Sequence, residues 1–378
     1  MLYPREEYPM NTAPFRADHV GSLLRPASVA AARKQHFEDK TLDADGLKAV
    51  EDAAIVDLIA MQQEVGLKAV TDGEQRRSFW HYDFMGMLDG LDLVERAEGV
   101  QFAGVKLRPI FPTITGALDF PDNHPMLDHF RFVAGNTAVV PKISIPGPSC
   151  CHFRTATEDI APKEYADPEA LFSAIANTYK KAVNAFYAAG CRYLQMDDIF
   201  FAYLCDPKHR EAKKSQGQDP DHLIDRYAWM MNEAIKDRPD DMLIGMHMCR
   251  GNFRSTHAAE GAYDPAADAV FNKTGVDLFF MEYDTERAGS LEPLSLLAKG
   301  QQRVMLGFVT TKQGSLESVD ALQRQFDEAS KYADIDQLGI APQCGFASTE
   351  EGNDLSADDQ RRKLELVVAT AEKIWGGV

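Results

Sequence analysis

MLIGMHMC, residues 242–249, is an apolar run that closes on a histidine and a cysteine two positions apart. Its length and composition read as a buried β-strand. In an extended chain, residues i and i+2 point the same way with roughly 6.5–7 Å between Cα atoms. His247 and Cys249 therefore share a face and can reach one ion. Two satisfied core residues would look the same, and two ligands do not make a site, because zinc takes four, or three plus an exchangeable position. The rest of the chain has to supply the others.

Seven further runs have the same character: FRADHVGS (15–22), KAVTDGE (68–74), VVPKISIPG (139–147), CRYLQMDD (191–198), VDLFFMEY (276–283), RVMLGFVT (303–310) and LGIAPQC (338–344). Amphipathic stretches with apolar spacing near i, i+3, i+4 lie between them, and the segments 47–66 and 168–190 close on glycine. Alternation of this kind is the mark of βα units. Eight of them predict a (β/α)8 TIM barrel occupying 1–378 as a single domain. Residues 80–135 break the rhythm, include a hairpin pattern around KLRPIFPTITG, and read as an insertion between strands 2 and 3. A doubly wound sheet is the alternative, but no GxGxxG or GxxxxGK turn follows a strand.

The chain has 378 residues, 45% hydrophobic and 26% charged, which suits a globular protein with a sizeable core. A net charge of −18 argues against nucleic-acid binding, which needs a concentrated basic surface. The pairs RR at 76–77 and KK at 180–181 and 213–214 read as solvated surface. No run approaches the ~20 apolar residues of a membrane span, and the N-terminus lacks the apolar centre of a secretory signal. The expected location is cytoplasmic. Six cysteines in such a chain suggest buried thiols or metal ligands rather than a disulfide framework. Cys150 and Cys151 are read as structural, and His124 and His129 as surface-loop residues.

A barrel's active site lies at the C-terminal ends of its strands. Ser22, Glu74, Asp197, His247 with Cys249, Glu282 and Cys344 all fall there. His, Cys and Glu suit zinc, and two thiolates favour it over magnesium or calcium. Glu282 follows an apolar run, where a charge needs a partner. His19 sits on a strand leading to the same rim.

HVGS, TDGE, LQMDD, MHMC, FMEYD and PQCG occur in the order, and with roughly the spacing, of the catalytic barrel of cobalamin-independent methionine synthase. FRADHVGSLLRP resembles the shorter, single-barrel relatives of that family, and the resemblance spans residues 15 to about 350. It implies Zn2+ held by His247, Cys249, Glu282 and Cys344, a carboxylate seat at Gly21 and Ser22, and an amino-group seat at Glu74 and Asp197. Glu74 is also open to helix capping or pairing with Arg76 or Arg77. The implied reaction is methyl transfer to the thiol of homocysteine, giving methionine. Its partners would be homocysteine and a methyl donor, with a donor protein and a homo-oligomer left open, and neither nucleic acid nor membrane.

Two departures bear on the donor. In LGFVTTKQGS the family's Asp and His, implicated in proton delivery to folate, are replaced by Thr310 and Lys312, so Asp197, Lys312 and His19 are the candidate catalytic groups. After GPS (147–149) the chain reads CCHFR, without the tryptophan that family members place against the pterin. Rival readings are alkyl transfer to coenzyme M, as in epoxyalkane:coenzyme M transferases, a lyase like uroporphyrinogen decarboxylase, and a non-catalytic zinc- or thiol-binding protein.

Overall fold

The computed structural model describes residues 15–96, 101–102, 105–106, 109–300 and 302–378. Twelve strands are present among them: β1 (Ala69–Val70), β2 (Asp89–Glu95), β3 (Gln101–Phe102), β4 (Val105–Lys106), β5 (Ile110–Asp119), β6 (Val140–Pro141), β7 (Ile143–Pro146), β8 (Tyr193–Asp197), β9 (Leu243–Met248), β10 (Leu278–Glu282), β11 (Arg303–Val309) and β12 (Leu338–Pro342). β7 to β12 form a six-stranded sheet in chain order with every pair parallel. Parallel neighbours need long crossovers. Helices Pro168–Ala188, Pro220–Ile235, Asp264–Lys273 and Val319–Ala329 supply four of the five, while short 3-10 turns at Glu286–Ala288 and Glu292–Leu296 carry the chain from β10 to β11.

Further parallel pairings lie at the two ends of this sheet. β1 pairs in parallel with β6, and Lys142 N donates to Val70 O at 2.9 Å. FRADHVGS forms a single parallel bridge, Ala17 to Ile340 of β12, flanked by Ile340 N to Arg16 O at 2.8 Å. Leu23 N donates to Gly73 O at 3.0 Å, which ties the two segments together after their strands. The fold is thus a mixed α/β architecture around a parallel sheet.

Local chemistry explains the helix starts. Asp167, Asp206 and Asp219 each precede a proline at the first helical position, and each carboxylate accepts from the N–H two residues on. Proline has no N–H to waste there, and the aspartate satisfies one of the orphan donors. Gly66 and Gly190, at φ +99° and +100°, end the helices Ala44–Glu64 and Pro168–Ala188 in the left-handed region.

Both faces of the central strands are buried, and they pack into different clusters. Phe279, Met281, Val304, Leu306 and Ile340 belong to the large core shared with the helices. Their alternates Leu278, Phe280, Met305 and Ala341 join Phe15, Val20, Ala69 and Tyr193 in a second, smaller core. That inner cluster holds a fully buried ion pair, Lys142 Nζ to Asp18 Oδ1 at 2.7 Å, both side chains 0% exposed. Tyr193 OH donates to the other Asp18 oxygen at 2.7 Å, and the Lys142 ammonium lies 4.8 Å from the Phe280 ring centroid. Removing one member of such a pair strands the other charge. Lys142→Met should therefore cost about 3–5 kcal/mol of stability, read as a lower urea midpoint, whereas a loss under about 1 kcal/mol would mean that Asp18 is carried by its neutral partners.

Between β1 and β6 the chain leaves the parallel sheet. It makes a short helix, Tyr82–Met85, an antiparallel β2–β5 pair, a short β3–β4 pair and the helix Pro125–Asn136. Residues 107–108 of the KLRPIFPTITG pattern lie outside the described residues; Ile110–Gly116 lie on β5.

Three surface assignments are overturned. Arg77 is buried, and Arg76 is nearly so, paired with Glu51 and Asp52. Lys213 is buried and donates to Phe153 O at 2.7 Å. His124 is a buried N-cap whose Nδ1 accepts from Met126 N, with Nε2 3.1 Å from Phe84 O. Charge pairs and a proline-flanked histidine look solvated when the partners that bury them are distant in sequence.

Candidate active site

The parallel register carries the polar strand ends to one edge of the sheet. Asp197 on β8 is aligned with His247 on β9, His247 with Phe280 on β10, and Glu282 two residues further on. Cys249 directly follows β9 and Cys344 lies two residues beyond β12. Donor atoms of His247, Cys249 and Cys344 all lie within 4.8 Å of one another, and the two sulfurs are 3.5 Å apart. Zinc–sulfur bonds of about 2.3 Å close that gap at an angle of roughly 100°. Both ring nitrogens of His247 are buried without a hydrogen-bond partner. The three donors fit a metal of zinc's preferences.

The surroundings favour thiolate at this point. The hydrogen bond shared with Cys249 holds Cys344 well below the ordinary thiol range, against the upward push of burial and with help from His247. Cys249 is raised correspondingly, first by Cys344 and then by burial. Glu282 is fully buried beside the group. One of its oxygens accepts from Arg250 N at 2.9 Å and the other engages Arg287. Its carboxylate thus faces those partners rather than completing the three-donor group.

These donors open into a narrow cavity whose wall includes Ser22, Glu74 and Asp197. Glu74 has φ +59°, a left-handed conformation uncommon outside glycine, asparagine and aspartate. Asp72 fixes it by accepting from Glu74 N at 2.8 Å, and Arg25 clamps Glu74 O at 2.8 Å. The Glu74 Oε1 atom accepts from Ser144 Oγ at 2.8 Å and lies 3.4 Å from Arg77, while Oε2 is buried without a partner. Burial lifts Glu74 to about 7, with Arg77 opposing and Asp197 reinforcing. Burial likewise lifts Asp197 to about 6, against His247 and the Gln195 hydrogen bond. Gly21, at φ +137°, lies where a Cβ would come 3.2 Å from Ser144 Oγ, so the backbone passes close to the Glu74 carboxylate.

Two candidates, His19 and Lys312, stand apart from the cavity wall, as does Asp198, the neighbour of Asp197. Asp198 turns towards the loop after β7 and accepts from Ser149 Oγ. His19 is buried beside Asp18, its N donating to Asp18 Oδ1 at 2.7 Å, and does not line the cavity. Lys312 is half-buried and its charge acts on Glu282, Asp284 and Cys344. Conversely, the cavity wall contains Trp80, His81, Arg154, Tyr203 and Phe253, which motif spacing could not reveal because four separate connections supply them.

A parallel-sheet α/β protein with an imidazole and two cysteine sulfurs clustered at the strand ends, facing two carboxylates, has a site suited to holding a metal beside a polar ligand. Residues 15–373 match the family described as cobalamin-independent synthase, catalytic domain, and the chain belongs to it. It is 44% identical over 367 residues to the uncharacterised protein YxjH of Bacillus subtilis, covering 96% of this chain and 95% of that protein. It is 22% identical over 334 residues to the methionine synthase of Sulfolobus acidocaldarius, covering 86% and 84%. Among solved structures it resembles a Listeria monocytogenes protein assigned provisionally as a vitamin-B12-independent methionine synthase, with a TM-score of 0.77, 36% identity, and coverage of 97% of this chain and 99% of that one. Among the described residues, no helix is long and apolar enough to cross a membrane.

Proposed function

We propose that this chain is a single closed (β/α)8 barrel that transfers a methyl group to the thiol of homocysteine, forming methionine, with zinc held by His247, Cys249 and Cys344 and with Glu282 leaving its contact with Arg287 to become the fourth ligand. The observation that carries the reading is the convergence of those three donors on a cavity that also presents Ser22, Glu74 and Asp197. Bound zinc would hold the substrate sulfur as the attacking thiolate. The chain's own residues do the rest. The unpartnered Oε2 of Glu74 and the Asp197 carboxylate receive the substrate ammonium, while Gly21 and Ser22 border the seat for its carboxylate. Holding both substrates in line supplies the entropic part of the rate. Backbone ties from the Ala17 bridge and from β1 to β6 support barrel closure.

The test is to incubate the zinc-loaded protein with homocysteine and a panel of labelled methyl donors. Methionine formed from one of them supports the reading; with none, the transferase assignment fails. The carboxylate seat has a separate signature. Glu74 and Asp197 titrate near 7 and 6, so both gain negative charge between pH 5.5 and 7.5. Because both values are raised on folding, the unliganded protein loses their contribution to stability over the same rise, while an ammonium ligand gains affinity. Norleucine, which has the amino-acid end without a sulfur, should bind roughly tenfold more tightly at pH 7.5 than at 5.5 by calorimetry, a dependence that Glu74→Gln should flatten. Affinity independent of pH would remove both carboxylates from the seat.

A further inference from the structure

The cavity has a second polar wall, built from residues that take no part in the chemistry above. Arg154 lies on it, just beyond the short helix Cys150–Phe153 that follows β7. Among the described residues no carboxylate lies within 4.0 Å of its guanidinium, and its buried Nη1 has no hydrogen-bond partner. The neighbours acting on it most are the hydroxyls of Tyr82 and Tyr203 and the Cys150 thiol. In a chain of net charge −18, carboxylates are abundant, yet this partly buried cation is left without one. Burying an unpaired charge is expensive, and it persists where a ligand supplies the counter-charge.

His81 stands on the same wall. It is 3% exposed, and neither ring nitrogen has a partner. Burial and the Arg154 charge keep it neutral, so it offers one N–H and one lone pair. Trp80 stacks on its ring at 4.3 Å between centroids. The segment carrying both is held firmly: Trp80 N donates to Ser348 O at 2.9 Å, Phe79 bridges Thr349, and Asp83 accepts from Phe79 N at 2.8 Å. This is a rigid wall with one cation, one imidazole and an aromatic face.

Its residues are not those of the amino-acid seat, although both line one cavity.

We infer that Arg154, His81 and Trp80 form an anion-binding subsite for the second substrate, so that the methyl donor is a compact molecule carrying a carboxylate, sulfonate or phosphate group. The assignment to the donor rests on the proposed seating of the acceptor amino acid at Glu74 and Asp197; the anion site itself does not. Trp80 emission, isolated by comparison with Trp80→Phe, reports occupancy. The full-length, zinc-loaded protein is titrated at constant ionic strength with acetate, methanesulfonate and inorganic phosphate, with and without homocysteine. At least one anion should quench saturably, Arg154→Met should weaken it at least tenfold, and Arg154→Lys should retain part of the affinity. Homocysteine binding, followed separately in the cobalt-substituted protein through its sulfur-to-metal absorption, should be unchanged by Arg154→Met and by the anion. Should Arg154→Met fail to fold, His81→Phe, which removes the N–H and keeps the ring, should still weaken the anion several-fold. Quenching by none of the anions, or quenching indifferent to both residues, overturns the subsite. Mutual displacement of anion and homocysteine overturns the donor assignment and makes Arg154 part of the acceptor's seat. A protein that binds the anion but never homocysteine would refute the methionine reading while leaving the subsite standing.

Discussion

Cys344→Ser and Cys249→Ser are each expected to leave the protein folded and essentially free of zinc, with methyl transfer lost. Zinc held by a full protein ligand set contributes about 10–16 kcal/mol of apparent binding, or about 2.5–4 kcal/mol for each of four ligands, so losing one thiolate costs roughly 10²–10³-fold in affinity. Serine is close to isosteric but a far weaker donor at neutral pH. The cost to the fold is small because both sulfurs lie beyond the ends of their strands, on the loops that follow β9 and β12. The comparison that matters is with Glu282→Gln. The Glu282 carboxylate already engages Arg287 and Arg250 N–H, so the amide should weaken metal binding less than either serine. Zinc content by elemental analysis, beside far-UV circular dichroism to confirm folding, reads all three. Full occupancy in both serine variants would dismantle the ligand set, and loss from Glu282→Gln equal to that from the cysteines would make Glu282 an equal ligand.

The strand ends were legible because the chain marks them twice. An apolar run long enough for a buried strand stops on a polar residue, and in a parallel sheet those stops fall at one edge. MLIGMHMC, VDLFFMEY and LGIAPQC obey this, and β9, β10 and β12 fall within those runs. FRADHVGS obeys it less well: one bridge at Ala17 is all the regular pairing it makes, since Asp18 turns inward to an ion pair with Lys142 that no local pattern announces. The second wall was illegible for a different reason. Trp80 and His81 come from the loop after β1, Arg154 from the loop after β7 and Tyr203 from the one after β8. Each is ordinary in its own sequence neighbourhood and acquires meaning from the other two. The expectation of a solvated Arg77 failed likewise, because Ser144, 67 positions away, provides the carbonyl that its guanidinium donates to at 2.6 Å.

Methyltetrahydrofolate is expected to be a poor donor, slower by roughly 10²–10⁴-fold than a donor whose leaving group needs no proton, because that is the scale of general acid catalysis. Methyl transfer from its nitrogen expels an amide-like anion unless something protonates it. The cavity offers little for the purpose. Lys312, whose charge acts on Glu282, Asp284 and Cys344, does not line the wall, and His19 is packed outside it. His81 does line the wall but is held neutral by burial and Arg154, so it has no imidazolium to give. Asp197, near 6, is mostly ionised at neutral pH. That leaves Glu74, near 7 and partly protonated, which the proposal commits to the substrate ammonium. A sulfonium or a methylcorrinoid departs without a proton and should be faster, and a sulfonium that also bears a carboxylate would satisfy Arg154 as well. Initial rates of methionine formation from methyltetrahydrofolate, a carboxylate-bearing sulfonium and a methylcorrinoid, at saturating homocysteine, order the three. Equal or faster transfer from the folate would refute this, and the pH profile would then locate the acid: a rate that falls above pH 7 in the parent protein and is abolished in Glu74→Gln would move Glu74 from the amino-acid seat to proton delivery.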